Sequence, residues 1–326
     1  MARWDRIRNA TPLGVLCVGA VGLVPTAHLA PAAAQAVRAD RIVFVSNRET
    51  KSMPAVFVMN PDGTGVQRLS RGTALEFDPV WSPDGKQVAF AAAPNPTRRQ
   101  LDIYVMNADG SERRRVTQGE TLAFSPSWSP DAKRLVFSTI ETPVAGTPLG
   151  GMPAFRINVV DVDGANLKRI GEGLMPAWSP QGQTILYTAF DQAEQMEPTL
   201  YIMNADGTNA KPVAGRRTMM GSWSPDGRRI AYTGEGGGEQ PDLFVVNLDG
   251  ANRMRVRKSP DLEYAPQWSP DGKQLYFTRV TRKYPGKASV CVVDLNGKNF
   301  REITHVDGID AIGSATFWSF GGASGE

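Results

Sequence analysis

The stretch FDPVWSPDGKQVAF, residues 77–90, contains the motif that decides the fold of this 326-residue chain. Its centre, Trp-Ser-Pro-Asp-Gly, recurs along the sequence with small changes. Successive tryptophans of the motif are 47, 50, 45, 45 and 50 residues apart: Trp81, Trp128, Trp178, Trp223, Trp268 and Trp318. A repeat of about 40–50 residues that contains several short strands is typical of β-propeller blades.

A second motif, Asn-x-Asp-Gly or a close variant, alternates with the first. It also occurs six times, ending at Gly63, Gly110, Gly164, Gly207, Gly250 and Gly297. Between the two motifs lie short apolar runs such as KQVAFAA and LDIYVMN, which are typical of strands. We therefore predict an all-β, six-bladed propeller of four-stranded antiparallel blades. In each blade the tryptophan motif joins strand a to strand b, and the Asp-Gly motif joins strand c to strand d.

The residues of the tryptophan motif have structural roles. Proline fixes the first turn dihedral, aspartate bonds the local backbone, and glycine accepts a positive φ. The tryptophan itself is predicted to pack between neighbouring blades. In the third blade Ala132 replaces the turn glycine, which we expect to cost about 1 kcal/mol if the position needs a positive φ. In the fourth blade Gln181 replaces the turn aspartate.

The order of the strands predicts how the ring closes. Beyond residue 40 the chain begins with strands b, c and d of a blade that has no preceding tryptophan strand. It ends with the strand ATFWSF, residues 315–320, which has no partner in its own repeat. We predict that this C-terminal strand completes the first blade. Closure of the ring removes exposed sheet edges, which otherwise favour aggregation.

The first 36 residues differ from the rest in composition. Three arginines precede an apolar stretch, 13–29, and the small-residue run APAAAQA follows it. These are the three regions of a secretory signal peptide, so we predict a signal peptide at 1–36 and a propeller at 37–326, located in the periplasm or outside the cell. The alternative, a membrane anchor, is disfavoured because Pro12 borders the stretch and Pro25 and His28 interrupt it. We expect no transmembrane segment after cleavage.

Charge and cysteine content argue against nucleic-acid binding, an intrachain disulfide and a reactive thiol. The chain has 36 basic and 33 acidic residues, and removal of the signal peptide leaves a net charge near +1. This balance gives no electrostatic basis for binding nucleic acid. Cys291 is the single cysteine beyond the predicted signal peptide, so no intrachain disulfide is expected. Its apolar neighbours predict a buried side chain rather than a reactive thiol.

The repeat FDPVWSPDGKQVAF…LDIYVMNADGSERRRVT resembles the propeller of the TolB family, whose namesake is the periplasmic component of the Tol–Pal envelope system. The resemblance covers about residues 40–326. It implies a six-bladed, non-catalytic, protein-binding propeller in the periplasm or outside the cell. We expect one difference from TolB. TolB has an additional α/β domain before its propeller, where this sequence has only the predicted signal peptide. Similar repeats also form the propellers of prolyl oligopeptidase-type peptidases and oligogalacturonate lyases.

The sequence contains few candidates for catalysis or metal binding. It has no G-x-S-x-G elbow, and His305 is the one histidine beyond the predicted signal peptide. We therefore predict no catalytic residues, no metal site and no cofactor. An alternative is that acids facing the central channel pair as acid and base or hold a cation; the candidates are Asp78, Asp102, Asp242 and Asp310.

Charges in the b–c connections predict where a partner binds. Segments 279–287, 47–54 and 91–100, in blades six, one and two, carry eight basic residues and one acid. Segments 139–153, 189–198 and 234–241, in blades three, four and five, carry six acids and no base. The acids are Glu141, Asp191, Glu194, Glu197, Glu235 and Glu239. The predicted partner-binding residues are Arg48, Lys51, Arg98, Arg99, Arg282, Lys283, Lys287, Glu194, Glu197 and Glu239.

We therefore expect an exported, monomeric propeller that binds a protein or peptide of the cell envelope. Because binding insertions tend to collect on one face of a repeat protein, the b–c connections would orient a dipolar or disordered partner segment. Solvated loop charge without a partner is the simpler alternative for the same asymmetry. Two other functions remain open: a carbohydrate or cell-wall binding module, and the propeller of a lyase or peptidase system.

Overall fold

A computed structural model describes residues 41–50, 53–71, 74–93, 100–119, 121–141, 154–191, 197–236, 241–281, 287–305 and 308–312. These residues form six antiparallel sheets of four strands each. The sheets are the blades of a ring, so the predicted six-bladed propeller is confirmed. Within the described ranges no helix is long and apolar enough to cross a membrane.

The strands follow the predicted a-b-c-d order in each blade. Blades two and three consist of β4 (Leu75–Trp81), β5 (Gln87–Ala93), β6 (Asp102–Asn107), β7 (Arg114–Arg115), β8 (Leu122–Trp128), β9 (Arg134–Glu141), β10 (Ala154–Asp161) and β11 (Lys168–Glu172). Blades four and five consist of β12 (Leu174–Trp178), β13 (Thr184–Asp191), β14 (Glu197–Asn204), β15 (Lys211–Arg216), β16 (Thr218–Trp223), β17 (Arg229–Glu235), β18 (Pro241–Asn247) and β19 (Met254–Arg257). Blade six consists of β20 (Leu262–Trp268), β21 (Gln274–Val280), β22 (Ala288–Asp294) and β23 (Arg301–Glu302).

Blade one joins the two ends of the chain. Its strands b, c and d are β1 (Ile42–Ser46), β2 (Ala55–Met59) and β3 (Gln67–Arg68), and its strand a is β24 (Asp310–Ala311). Asp310 pairs with Ser46, and Ala311 pairs with Val45. The first blade therefore takes its strand a from the C-terminal part of the chain, as predicted. The segment ATFWSF and Trp318 lie outside the described residues.

Tryptophans fill the contacts between blades. Trp223 packs among Leu186 and Ile202 of blade four and Ile230 of its own blade. Trp81, Trp128, Trp178 and Trp268 each lie in an equivalent cluster formed by two consecutive blades. The described residues between blades six and one form a cluster of the same kind that includes no tryptophan. These clusters confirm that the tryptophan motif is a packing wedge.

Three indole groups also make hydrogen bonds between blades. Trp128 donates to the main-chain oxygen of Val80, and Trp268 donates to that of Ser222, both at 3.2 Å. Trp223 makes the same bond at 3.0 Å. In each case the acceptor directly precedes a tryptophan of the preceding blade. Trp178 differs, because its indole N–H donates to Gly182 within its own turn.

The two turn motifs have the predicted backbone conformations. Ala132 adopts φ +57°, in line with Gly85 at +67°. The c–d turn glycines contact the neighbouring blade as well: a Cβ at Gly110 would overlap the main-chain oxygen of Leu69, which directly follows strand d of blade one. The side chain of Ser82 donates to Asp84 at 2.6 Å, so the polar atoms of the tryptophan motif bond within their own turn. The repeated motifs on the face that carries these turns therefore have a structural role.

Candidate functional site

The b–c and d–a connections meet at the opposite face of the ring, because consecutive strands of each blade run in opposite directions. We call this the variable face. Its connections differ in length and composition from blade to blade, in contrast to the repeated turns of the other face. In repeat proteins such variable connections commonly form the binding surface.

Three of the ten predicted partner-binding residues are described by the structure. Arg48 forms an ion pair of 2.7 Å with Asp310, whose side chain is fully buried. Glu197 forms an ion pair of 2.8 Å with Arg217. The main-chain N–H of Lys287 donates to the Thr281 hydroxyl. The other seven lie outside the described residues: Lys51, Arg98, Arg99, Arg282, Lys283, Glu194 and Glu239.

Arginines bridge pairs of carboxylates around this face. Arg217 binds both Glu197 and Glu235, each at 2.8 Å. This group of three side chains keeps one net negative charge. In blade six Arg279 likewise binds Asp261 at 2.6 Å and Glu302 at 3.1 Å. Local ion pairs therefore offset part of the charge asymmetry that the sequence shows.

In blade three the pattern is extended by a second arginine. Arg156 binds Glu141 at 3.0 Å and Glu172 at 2.5 Å, and Arg169 also binds Glu172 at 2.8 Å. The side chain of Arg156 is 18% exposed, whereas those of Glu141 and Glu172 are 48% and 61% exposed. The carboxylates, rather than Arg156, therefore face the solvent here.

Buried acids occupy one position of strand a in three consecutive blades. They are Glu263 in blade six, Asp310 in blade one and Glu76 in blade two, and each is at most 1% exposed. Glu76 accepts hydrogen bonds from Arg113 at 2.8 Å and from the Val56 amide at 3.2 Å. Burial raises its pKa above the ordinary value. Glu76 and Glu263 were not among the predicted site residues; the arginine partner of Glu76 is 37 residues away in the sequence, whereas Arg257 lies close to Glu263 along the chain.

Of these three buried acids, Glu263 has the negative charge that its surroundings stabilise least. Its ion pair is with Arg257, at 3.1 Å, and its side chain is fully buried. Burial raises the pKa of Glu263 to about 7, with a smaller contribution from the negative charge of Asp242. The attraction of Arg257 works in the opposite direction without cancelling the effect of burial.

The four acids proposed for the channel do not converge on one another. Asp102 pairs with Arg115 at 2.7 Å, and Asp242 pairs with Arg255. Asp78 lies in strand a of blade two and accepts the Ser125 amide at 3.0 Å, while burial raises its pKa well above the ordinary value. Each acid is thus bound to its own partner. The described residues contain no cluster of three or more histidine, cysteine, aspartate or glutamate side chains suited to a metal ion.

An apolar patch lies on blades three to six, toward the variable-face ends of strands a, b and c. Its inner layer consists of Leu174, Met175, Met220 and Ala265, which are buried. Its outer layer consists of Phe155, Phe190, Met219 and Tyr264, which are half-buried against that inner layer. The rings of Phe155 and Phe190 are 5.8 Å apart. We call these four outer residues the apolar patch. The sequence analysis missed it, because its members come from four different repeats.

The fold and the repeated contacts between blades place the protein in the class of six-bladed β-propellers. One face of this propeller has a structural role, and the other is the variable face. The family model of the TolB β-propeller domain matches residues 40–142 and 144–316. The chain therefore belongs to the TolB β-propeller domain family. No curated protein matches the sequence.

Solved structures show the same fold at low sequence identity. The chain is similar to TolB from Acinetobacter baumannii with a TM-score of 0.69 and 20% identity, over 84% of this chain and 65% of that one. It therefore spans less than two thirds of that TolB. A structure assigned to TolB from Agrobacterium tumefaciens gives a TM-score of 0.60 and 20% identity, over 84% and 90% of the two chains.

An enzyme shares this architecture as well. Oligogalacturonate lyase from Vibrio parahaemolyticus matches with a TM-score of 0.57 and 15% identity, over 90% of this chain and 80% of that one. At such identities the likeness concerns the fold alone. The fold does not determine the function of this chain, so the evidence for its function is its own surface.

Proposed function

We propose that this protein is an exported, non-catalytic propeller that binds a protein or peptide of the cell envelope through its variable face. The observation that carries the proposal is the contrast between the two faces. On one face the polar atoms of the repeated motif bond within their own turns, as Ser82 bonds to Asp84. On the other face the connections differ between blades, and exposed carboxylates such as Glu141 and Glu172 lie on the same face as the apolar patch.

Membership in the TolB β-propeller domain family supports a binding role. The sequence of residues 1–36 supports export, and we propose a location in the periplasm or outside the cell. Participation in a Tol–Pal system belongs to the same proposal. Cell fractionation, with N-terminal sequencing of the mature protein, tests the export step. A protein retained in the cytoplasm with its first residues intact would contradict it.

Binding is tested by charge reversal on the variable face. Arg98, Arg99, Arg282 and Lys283 are replaced by Glu, and envelope proteins are captured by crosslinking and identified by mass spectrometry. We expect wild-type protein to capture one envelope protein and the variant to lose it, because charge complementarity sets association rate and specificity.

The matched control reverses four exposed basic residues of the tryptophan motifs on the other face: Lys86, Lys133, Arg228 and Lys273. This control changes the net charge by the same amount and should leave capture intact. Equal capture by wild type and the variable-face variant would contradict the proposal. Enrichment on peptidoglycan or polysaccharide, instead of an envelope protein, would favour the carbohydrate-binding alternative.

The enzymatic alternative has a separate test. The fold likeness to oligogalacturonate lyase makes oligogalacturonate the first substrate to assay, with product followed by absorbance of the unsaturated end. We expect no turnover above a buffer control. Turnover that disappears on substitution of a buried acid such as Asp78 would favour the lyase alternative over the binding role.

A further inference from the structure

Among the described residues, four blades carry a pair of neighbouring aromatic rings on strands b and c. The two residues of each pair lie directly opposite each other in the sheet, and their ring centroids are 5.6–5.9 Å apart. The pairs are Phe44–Phe57 in blade one, Phe90–Tyr104 in blade two, Tyr187–Tyr201 in blade four and Tyr232–Phe244 in blade five. Because the face of an aromatic ring is negative, each pair attracts a cation.

In three of these blades an arginine of the same blade lies over the pair. The Cζ atom of Arg48 is 5.3 Å from the centroid of each ring in blade one. That of Arg113 is 5.2 and 4.7 Å from the two rings of blade two. In blade five Arg253 is 4.0 Å from the Phe244 ring and donates its Nε–H to the Tyr232 hydroxyl at 2.8 Å. These three pairs therefore already hold a guanidinium group.

Blade four has the aromatic pair without the arginine. Arg113 and Arg253 each follow the glycine of their c–d turn by three residues, and at this position blade four has Ala210. Across the described part of the chain, no arginine or lysine lies over Tyr187 or Tyr201, and neither hydroxyl makes a hydrogen bond. Ala210 is itself exposed, so the place that an arginine fills in blades two and five is open to solvent.

The Tyr187–Tyr201 pair is fixed on one side and accessible on the other. Tyr187 packs against Val136 and Ile157 of blade three, which hold the pair in place. Tyr201 is half-buried, whereas Tyr187 is 5% exposed, so Tyr201 offers most of the accessible ring surface. Burial, with a smaller contribution from Tyr201, raises the pKa of Tyr187 to about 12. The Tyr187 hydroxyl therefore stays neutral and is an acceptor equivalent to that of Tyr232.

We propose that the Tyr187–Tyr201 pair is a binding site for an arginine side chain of a partner protein. The guanidinium stacks on the Tyr201 ring and donates a hydrogen bond to the Tyr187 hydroxyl, as Arg253 does with the equivalent pair of blade five. Arginine fits this site because its planar group stacks on a ring and donates in fixed directions. Ala210 follows the c–d turn, so the site lies apart from the variable face and adds a second contact surface to the proposed function.

The experiment titrates N-acetyl-arginine amide into the full-length protein with isotopically labelled tyrosine rings, and NMR records the ring resonances. Tyr187→Phe and Tyr201→Phe assign the two signals. We expect saturable shifts of both rings with a Kd in the millimolar range, because a single exposed cation–aromatic contact is weak. N-acetyl-citrulline amide has nearly the same shape without the charge. It is the matched ligand control and should cause no saturable shift.

Two arginine substitutions separate occupation of the site from a general effect of charge. Ala210→Arg places a guanidinium where Arg253 stands in its own blade, so it should fill the site and abolish the ligand-induced shifts. Ala251→Arg adds the same charge at an exposed position of the c–d turn in blade five and should leave the affinity unchanged. Tyr201→Leu removes the accessible ring and should weaken binding at least about threefold.

Several results would overturn the inference. These are the absence of saturable shifts at the two rings, equal shifts with the arginine and citrulline ligands, or unchanged affinity in Ala210→Arg. If Tyr201→Leu does not fold, the comparison of Ala210→Arg with Ala251→Arg gives the same decision. All of these readouts concern blade four alone. Charge reversal on the variable face therefore tests the proposed function independently of them.

Discussion

Trp223 donates its indole N–H to the main-chain oxygen of Ala177, 3.0 Å away, across the contact between blades five and four. The donor belongs to one repeat, and the acceptor directly precedes the tryptophan of the repeat before it. The same relationship links Trp128 to Val80 and Trp268 to Ser222. One residue type thus supplies both the packing and a directional bond between successive blades.

The first prediction concerns this tryptophan. Trp223→Ala should lower the free energy of unfolding by about 3–5 kcal/mol, because it removes a large buried side chain and leaves a cavity. Trp223→Phe keeps much of the packing but loses the hydrogen bond, so we expect a loss of about 1–2 kcal/mol. Urea unfolding measures both values. Leu167→Ala, at an exposed site, is the control, and an equal effect of all three changes would contradict the wedge role.

The second prediction concerns closure of the ring. Deleting residues 308–326 removes Asp310, which holds Arg48, and removes strand a of blade one. The truncated ring should melt at a lower temperature and less cooperatively, since the edge of β1 is exposed. Deleting 321–326 alone is the control. Cooperative melting of the longer truncation at the full-length temperature would show that the C-terminal strand does not close the ring.

The third prediction concerns the turn in blade three. Ala132 adopts φ +57°, a conformation that costs a residue with a Cβ more than it costs glycine. Ala132→Gly should therefore raise the free energy of unfolding by about 1 kcal/mol. The converse change, Gly85→Ala at φ +67°, should lower it by a similar amount. Effects of the same sign at both sites would contradict this explanation.

The fourth prediction concerns pH. Burial raises the pKa of Glu263 from about 4.5 when unfolded to about 7 in the folded protein. The folded state therefore retains a proton that the unfolded state releases, and stability contributed by the neutral carboxyl is lost as pH rises through 7. The neutral mimic Glu263→Gln should be more stable than wild type at pH 8, by at most about 3 kcal/mol.

At about pH 3 this advantage should disappear, because Glu263 is then largely protonated in both states. Chemical unfolding of both proteins at the two pH values measures the difference. Leu167→Gln serves as a control for the unfolding conditions, since an exposed site should show no pH-dependent change. An advantage of Glu263→Gln that is equal at both pH values would contradict the role of ionisation.

Local signals in the sequence were sufficient to predict the architecture. The a–b and c–d turns are encoded by adjacent residues, as in the Ser82–Gly85 turn, and the repeat spacing gives the number of blades. Strand order also predicted that blade one takes its strand a from the end of the chain. The hydrogen bond of the Trp178 indole to the Gly182 oxygen, within its own turn, was not predicted from the motif.

The candidate site was harder to predict from the sequence than the architecture, for a physical reason. Its residues come from different repeats and meet only in three dimensions. Phe155 and Phe190 are 35 positions apart in sequence, and neither belongs to a repeated motif. Likewise, the ion pair of Glu76 with Arg113 depends on the path of a long side chain across the blade. Charge asymmetry in the connections was visible, whereas its partial neutralisation by Arg217 was not.

The two sides of a blade make different contacts with their neighbours, and this direction has a consequence for fragments of this chain. Blades three, five and six each donate an indole N–H to a main-chain oxygen of the preceding blade, and c–d turn glycines such as Gly110 also contact the preceding blade, so the two sides of a blade are different. Such a contact is heterologous and cannot pair with a copy of itself. Pieces of the ring should consequently add to one another head to tail, as filaments or circles, rather than form two-fold dimers.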